Sequence, residues 1–450
     1  CGLHVSDTTM NAMLPKSPQD HVTPASAAQP TADPLSPPSP WARSAAGANT
    51  FDHAAGTVLP TIYERTTAAA IAHEAVNLGQ GFPDREGPEW LRQAAAQALT
   101  DPAVGPSNQY APGLGLPVLR EAVTEDHLRR TGISLDPSSE VMITTGATEA
   151  IAASILAFAS PGSQVLTFEP HYDSYGSMAA LAGAELVGVP LSGPEFHPDM
   201  DALEAAVTER TSMLLLNTPH NPTGTVFTEQ ELRRAVGIAR RHGLVIMCDE
   251  VYEQLVLEAD QQHRSILSIS GAAEVAVAIG SAGKSFSLTG WKIGWLCGSA
   301  ELVNRIRGVK QFLTFSSGPG FQWAVAQGLQ DDRGFFAENA ASLAAARDLL
   351  HSGLHSAGLR PNRAASGYFL LADISEATEL DDVAFCRLLA EEVGVAAIPV
   401  SSLIIQHRSD QRSADAPDPL RRLVRFAFCK RLSSLEEGID RMVSRLPKVL

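Results

Sequence analysis

The sequence predicts an α/β fold: a mostly parallel sheet flanked by helices over residues 85–330, followed by a smaller α+β region over 331–450. Three observations carry this reading. Five short apolar runs alternate with helical patterns, as repeated strand–helix units do. Each run is followed at once by polar or glycine-rich residues, as expected at the carboxyl edge of an open parallel sheet, where ligands bind. Beyond residue 331 the pattern changes to a long helical segment and alternating strands.

Taken in order, residues 1–50 are rich in Ala, Pro and Ser, with eight prolines in the first forty positions, and are expected to be a disordered tail. Residues 51–84 are expected to form an N-terminal arm and part of the smaller domain. The five apolar runs are Val141–Thr145, Gln164–Phe168, Ser212–Asn217, Leu244–Cys248 and Val275–Ile279. A helical pattern runs from Phe335 to Leu350, and strands are expected at Tyr368–Ala372, Val395–Ile398 and Leu423–Phe428. The segment from Ser402 to Pro419 is long and polar, and is expected at the rim of a pocket.

The composition excludes several classes of function. A net charge of −16 without a basic patch argues against nucleic acid and anionic membrane as partners. No apolar run reaches the roughly 18 residues of a membrane span. The five cysteines are scattered, with no C-x-x-C pair and no metal-ligand spacing, a pattern expected of a reduced, cytoplasmic protein.

Chemistry gathers at the ends of the apolar runs. The first ends in Gly146-Ala147-Thr148, where helix N-terminal amides and a hydroxyl could seat a phosphate; a plain capped turn is the alternative. After the second, Tyr172 could stack on a flat ring or merely plug the sheet edge. The third leads into Asn221-Pro-Thr-Gly, whose amide could bond a phenolic oxygen. The fourth ends in Asp249, a helix cap or the partner of a pyridine nitrogen, with Tyr252 three residues on. The fifth is followed by Ser281, Lys284 and Lys292. A lysine at a buried strand end loses ammonium character and becomes an amine nucleophile, as a Schiff-base lysine must be. Lys292 and Ser281 suit one phosphate.

These segments, with Asn77–Asp84, Asn108-Gln-Tyr110, Thr289-Gly-Trp-Lys-Ile-Gly294 and Val424-Arg425-Phe426, resemble the class I and II aminotransferases of pyridoxal-phosphate fold type I. The branch they are most similar to holds kynurenine/glutamine transaminases, methionine aminotransferases and actinobacterial N-succinyldiaminopimelate aminotransferases. The resemblance covers residues 51–450 and implies a seven-stranded, mostly parallel sheet, pyridoxal 5′-phosphate as cofactor and a homodimer. It implies Lys284 as the Schiff-base lysine and proton carrier, Asp249 on the ring nitrogen, Asn221 and Tyr252 on the ring hydroxyl, and Tyr172 stacked on the ring. Gly146, Ala147, Thr148, Ser281 and Lys292 would hold the phosphate, with Tyr110 from the partner subunit. Arg425 would grip the substrate carboxylate, with Gly81, Asn221 and Tyr63 also at the substrate.

The function so implied is ping-pong transfer of an amino group between an L-amino acid and a 2-oxo acid. The donor would be an N-succinyldiaminopimelate-type substrate, or methionine, glutamine or an aromatic amino acid. A cysteine-conjugate β-lyase using the same residues is the alternative, distinguished by pyruvate release without an oxo-acid acceptor. A non-catalytic regulator on the same fold is the third reading, and the complete residue set argues against it.

Overall fold

In a computed structural model of the chain, the described residues are 39–106, 108–405 and 419–450. Seven strands form the large sheet: β1 (Val141–Thr145), β2 (Gln164–Glu169), β3 (Glu185–Pro190), β4 (Thr211–Asn217), β5 (Val245–Asp249), β6 (Ala276–Ser281) and β7 (Ile293–Gly298). Their spatial order is β1-β7-β6-β5-β4-β2-β3. Strand β7 runs antiparallel to both neighbours and every other pair is parallel.

The central strands are apolar on both faces because both faces are covered. Leu214, Leu216, Ile246 and Cys248 pack on one side with Leu91, Leu119 and Ala122 from the helices Glu89–Thr100 and Pro117–Thr131. Met213, Leu215 and Met247 pack on the other with Ile151, Ile155 and Ile306. Register then aligns the chemical ends: Asn217 lies opposite Asp249, Asp249 opposite Ile279, and Ser281 opposite Gly294. Because β7 is antiparallel, it begins where its parallel neighbours finish. Lys292, just before β7, therefore shares an edge with Lys284, just after β6.

Four antiparallel strands make the smaller sheet, in the order β8-β9-β11-β10: β8 (Arg360–Pro361), β9 (Phe369–Asp373), β10 (Ile398–Pro399) and β11 (Leu423–Ala427). The helices Phe335–Ser356 and Leu432–Val449 cover it through Leu343, Leu350, Leu354, Met442 and Leu446. The strand expected over Val395–Ile398 is broken in two. Val395–Ala396 pairs in parallel with Val76–Asn77, and only Ile398–Pro399 joins the smaller sheet. Leu78 belongs to the same apolar core, so part of the segment before residue 84 packs with the C-terminal region.

The tail expected over 1–50 is corrected at its end. Pro40–Gly47 is a helix, α1, with proline in its first turn and with Ala42 and Ala45 buried. Proline at that position is preorganised for a helix rather than disruptive. Residues 1–38, and most of the expected rim segment (406–418), lie outside the described residues.

Candidate active site

The carboxyl edge of the large sheet closes round a cavity of about 210 Å³. Its walls bring together Gly146, Ala147, Thr148, Tyr172, Asn221, Asp249, Tyr252, Ser281, Lys284 and Lys292. Every expected cofactor residue is there except Tyr110.

Asp249 ends β5 and is buried, which pushes its carboxyl up to about 6. The Tyr175 hydroxyl donates to its Oδ2 at 2.6 Å, and the Val251 N–H donates to Oδ1 at 3.3 Å. Both bonds favour the carboxylate and oppose the burial. Asn217 fixes the neighbouring turn: its Nδ2 donates to the Asp249 carbonyl at 2.9 Å, and its Oδ1 accepts the Asn221 N–H at 2.7 Å.

Lys284 lies in the single helical turn Ala282–Ser285 that follows β6. Burial lowers its pKa, against the opposing pull of Cys429 and Asp249. Its Nζ donates to the Gly81 carbonyl at 3.5 Å and lies 5.8 Å and 5.6 Å from the rings of Tyr252 and Tyr368. The Tyr368 hydroxyl donates to the Lys284 carbonyl at 2.8 Å, which holds the turn that aims the amine.

At the opposite end of the cavity, Lys292 Nζ donates to Thr148 Oγ1 at 3.3 Å. The helix Gly146–Phe158 (α2) starts here, so its first amides face the same space as Lys292 and Ser281. Glycine permits the approach: a Cβ on Gly294 would come within 2.7 Å of the Ala147 nitrogen, and Gly146 has φ +69°. The donor set is thus ordered along the cavity. Hydroxyls, helix amides and a cation at one end suit a phosphate. A buried carboxylate at the other suits a ring nitrogen, an amine lies in the site, and Tyr172 lines the wall. Pyridoxal 5′-phosphate has these groups in this order, and the residues fit it.

Arg425 projects from β11 towards the same site and is 1% exposed. Its Nη2 donates to the Gly79 carbonyl at 3.0 Å and its Nη1 to Asn221 Oδ1 at 3.4 Å, while Nε has no partner. The guanidinium lies 4.0 Å from the Phe369 ring and 5.5 Å from that of Tyr63. Burial pushes the Tyr63 phenol up to about 12, so it stays protonated. Gly81 is crowded against Phe369, where a Cβ would fall 2.3 Å from the ring. Tyr110 is not brought to this cavity. It is 87% exposed and meets Phe315 edge to face at 5.7 Å.

Sequence reasoning missed Tyr175, Asn217 and Tyr368 as supports of the site. Tyr175 stands three residues after Tyr172, the only signal for its role, and Asn217 had been read as a strand end. Behind Asp249 lies a second buried cluster, in which Glu250, Glu253 and His263 converge. Arg130 supplies its cation, pairing with Glu253 at 2.9 Å and Asp126 at 2.7 Å.

The chain matches the family described as aminotransferase class I and II over residues 73–412. It is 45% identical, over 85% of this chain and 95% of the relative, to a protein of Mycobacterium tuberculosis named a probable N-succinyldiaminopimelate aminotransferase. It is 36% identical to the methionine aminotransferase of Escherichia coli, again over 85% and 95% of the two chains. The solved structure of the N-succinyldiaminopimelate aminotransferase from Mycobacterium tuberculosis superposes with a TM-score of 0.79 at 44% identity, covering 86% of this chain and 97% of that one.

Proposed function

The chain belongs to the class I and II aminotransferase family, and on that premise we propose its residue roles and its substrate. It is a pyridoxal-phosphate-dependent transaminase that moves an amino group between an amino acid and a 2-oxo acid. The observation that carries the role assignment is the single cavity in which Lys284 and Asp249 share space with the anion seat of Lys292, Thr148 and Ser281.

When bound, the cofactor takes up the amino group and delocalises the charge left as the Cα proton departs. Lys284 Nζ is the base that accepts that proton and returns it. Its lowered pKa supports the role, because a larger fraction is free amine. Asp249 keeps the ring nitrogen protonated, and burial strengthens that electrostatic partnership. Tyr252 and Asn221 bond the ring hydroxyl, Tyr172 flanks the ring, and Gly146 and Ala147 add amides to the phosphate seat. Arg425 holds the α-carboxylate of amino acid and oxo acid in turn, beside Tyr63 and Gly81. Support comes from its buried charge, which has no ion-pair partner among the described residues.

The substrate is of the N-succinyldiaminopimelate type; the 45% identity to the mycobacterial relative, whose name carries that substrate, supports this choice. The enzyme is a homodimer, and exposed Tyr110 and Phe312 (87% and 83%) support a contact that completes the neighbouring phosphate seat. It works in the cytoplasm, consistent with free, buried thiols at Cys248, Cys297, Cys386 and Cys429.

A panel of amino donors against 2-oxoglutarate and pyruvate tests the substrate. The expected result is the highest kcat/KM for N-succinyldiaminopimelate. A tenfold preference for methionine or an aromatic amino acid overturns that choice, and pyruvate release from cysteine conjugates without acceptor makes the enzyme a β-lyase.

A further inference from the structure

Tyr175, whose hydroxyl bonds Asp249, sits on the eight-residue helix Ser174–Leu181 (α3). A helix of that length is marginal on its own. The residue before it, Asp173, gives it no side-chain cap bond. Packing must therefore set where the tyrosine hydroxyl lies. One contact comes from α1, in the stretch that the sequence assigns to a tail.

The two helices meet backbone to backbone. A Cβ on Gly47 would fall 2.3 Å from the Gly176 carbonyl oxygen, and one on Gly176 would fall 2.1 Å from that of Gly47. Ser44 Oγ lies 2.8 Å from Ser177 Oγ, and Arg43 Nε donates to the Ala180 carbonyl at 3.3 Å. The same C-terminal end of α1 is itself tied down. Thr50 Oγ1 donates to the Ala45 carbonyl at 3.0 Å, and Asn49 Nδ2 to the Ile404 carbonyl at 3.2 Å.

We infer that α1, through the Gly47–Gly176 contact, is a positioning element for Tyr175 and so sets the ionisation of Asp249. Gly47 and Gly176 touch neither substrate nor cofactor; they act through the tyrosine. If the contact opens, the carboxylate loses a donor and its pKa rises further, since a hydrogen bond to the charged form is what holds it down. The inference rests on the proposed pairing of Asp249 with the cofactor ring nitrogen.

The test measures the affinity of the apo-protein for pyridoxal phosphate by equilibrium dialysis between pH 5 and 9. Lys284, Glu250, Tyr172 and Tyr252 also face Asp249 and are the same in every variant, so the reading is a difference from the parent, in which binding should weaken as pH falls through the Asp249 pKa. Gly176→Leu, and the milder Gly47→Ala, should move that midpoint upward, as should Tyr175→Phe, the last by about one unit. Gly176→Leu added to Tyr175→Phe should shift it no further. A variant that loses thermal stability but keeps the parent midpoint overturns the inference, because a merely structural helix would do that. Asp249→Asn separates the two readings. A profile there that has lost the step at the Asp249 pKa, with Gly176→Leu unshifted, sinks the brace alone; a parent-like profile sinks the ring-nitrogen assignment and the brace with it. Ser44→Cys with Ser177→Cys should oxidise to an intrachain disulfide in the dimer, and a covalent dimer on a non-reducing gel would assign the contact to two chains and overturn the proposal.

Discussion

Arg425 and Phe369 meet diagonally across adjacent strands, two residues out of register, with the guanidinium carbon 4.0 Å from the ring centroid. The ring covers the cation's face and leaves its edge for planar acceptors. Two edge nitrogens meet only neutral oxygens, and Nε meets none. An incoming carboxylate would satisfy charge and donors together. Arg425→Lys should therefore raise KM for amino acid and oxo acid alike, because both half-reactions use one seat. Full truncation should cost on the order of 2–5 kcal/mol, and lysine less, since it keeps the charge without the fork. Cofactor affinity should hardly change. Loss of cofactor with unchanged KM would mean that the arginine serves the fold.

Lys284 carries the covalent prediction. Borohydride treatment of the yellow holoenzyme should fix pyridoxal on the peptide containing Lys284, read by mass spectrometry. Lys292 and Lys310 are the competitors. Lys310 is 1% exposed, but its Nζ is engaged by the Gly113 and Phe315 carbonyls. Label on either competitor would displace Lys284 from its role. Lys284→Ala should fold, bind the cofactor without the covalent link, and turn over negligibly.

Asp249→Asn should leave the fold intact, since the isosteric amide can accept the Val251 N–H on Oδ1 and donate from Nδ2 to the Tyr175 hydroxyl, which then serves as acceptor. Removal of the Cα proton should slow by orders of magnitude, because the fixed negative charge beside the ring nitrogen is gone. Stopped-flow single turnover with an α-deuterated amino acid isolates that step. An unchanged rate would reduce Asp249 to a structural group.

How much of this was legible in the sequence depends on the range of the interaction involved. Strand ends announce themselves, because an apolar run that stops at a charged or small residue is visible locally; Asp249, Ser281 and Thr145 were found in that way. The strands β3 and β7 were not read as strands. Ile293-Gly-Trp-Leu-Cys-Gly298 holds two glycines, and its pairing energy lies in contacts with residues far away in sequence. The substrate side was legible only through resemblance, since nothing near Arg425 in sequence tells of Gly79, Tyr63 or Phe369. Helix α1 was missed because composition was averaged over fifty residues, which hid Ser39-Pro-Trp-Ala, a short helix start. Tyr175 carries no such local signal. Its partner is 74 residues away, and only the fold brings them together.

Buried histidines give a pH prediction whose sign can be worked out. His220 is 3% exposed, and burial holds its pKa down to about 3, with the like charge of His171 acting in the same direction. The ordinary value is near 6.5, so between the two values the unfolded chain takes up the proton and the folded chain does not. The stability His220 contributes is present above about pH 6.5 and drains away as pH falls towards 3. From pH 7.5 to 5 the loss should approach roughly 2 kcal/mol. His171 and His127, both held at about 4, act in the same sense. Buried acids oppose them: Glu253 is raised to about 8, and Asp249 and Asp382 to about 6, so these groups favour the folded chain as pH falls. The parent's own curve is blunted by this opposition, and the test must be a difference. His220→Gln gives up the Thr223 hydrogen bond at 2.9 Å and the stacking on Phe227, a loss that is the same at both pH values. Denaturant unfolding of variant and parent at pH 7.5 and pH 5 should therefore show the gap closing by about 2 kcal/mol at the lower pH. A gap that stays constant would mean that His220 is already protonated in the folded protein at pH 5.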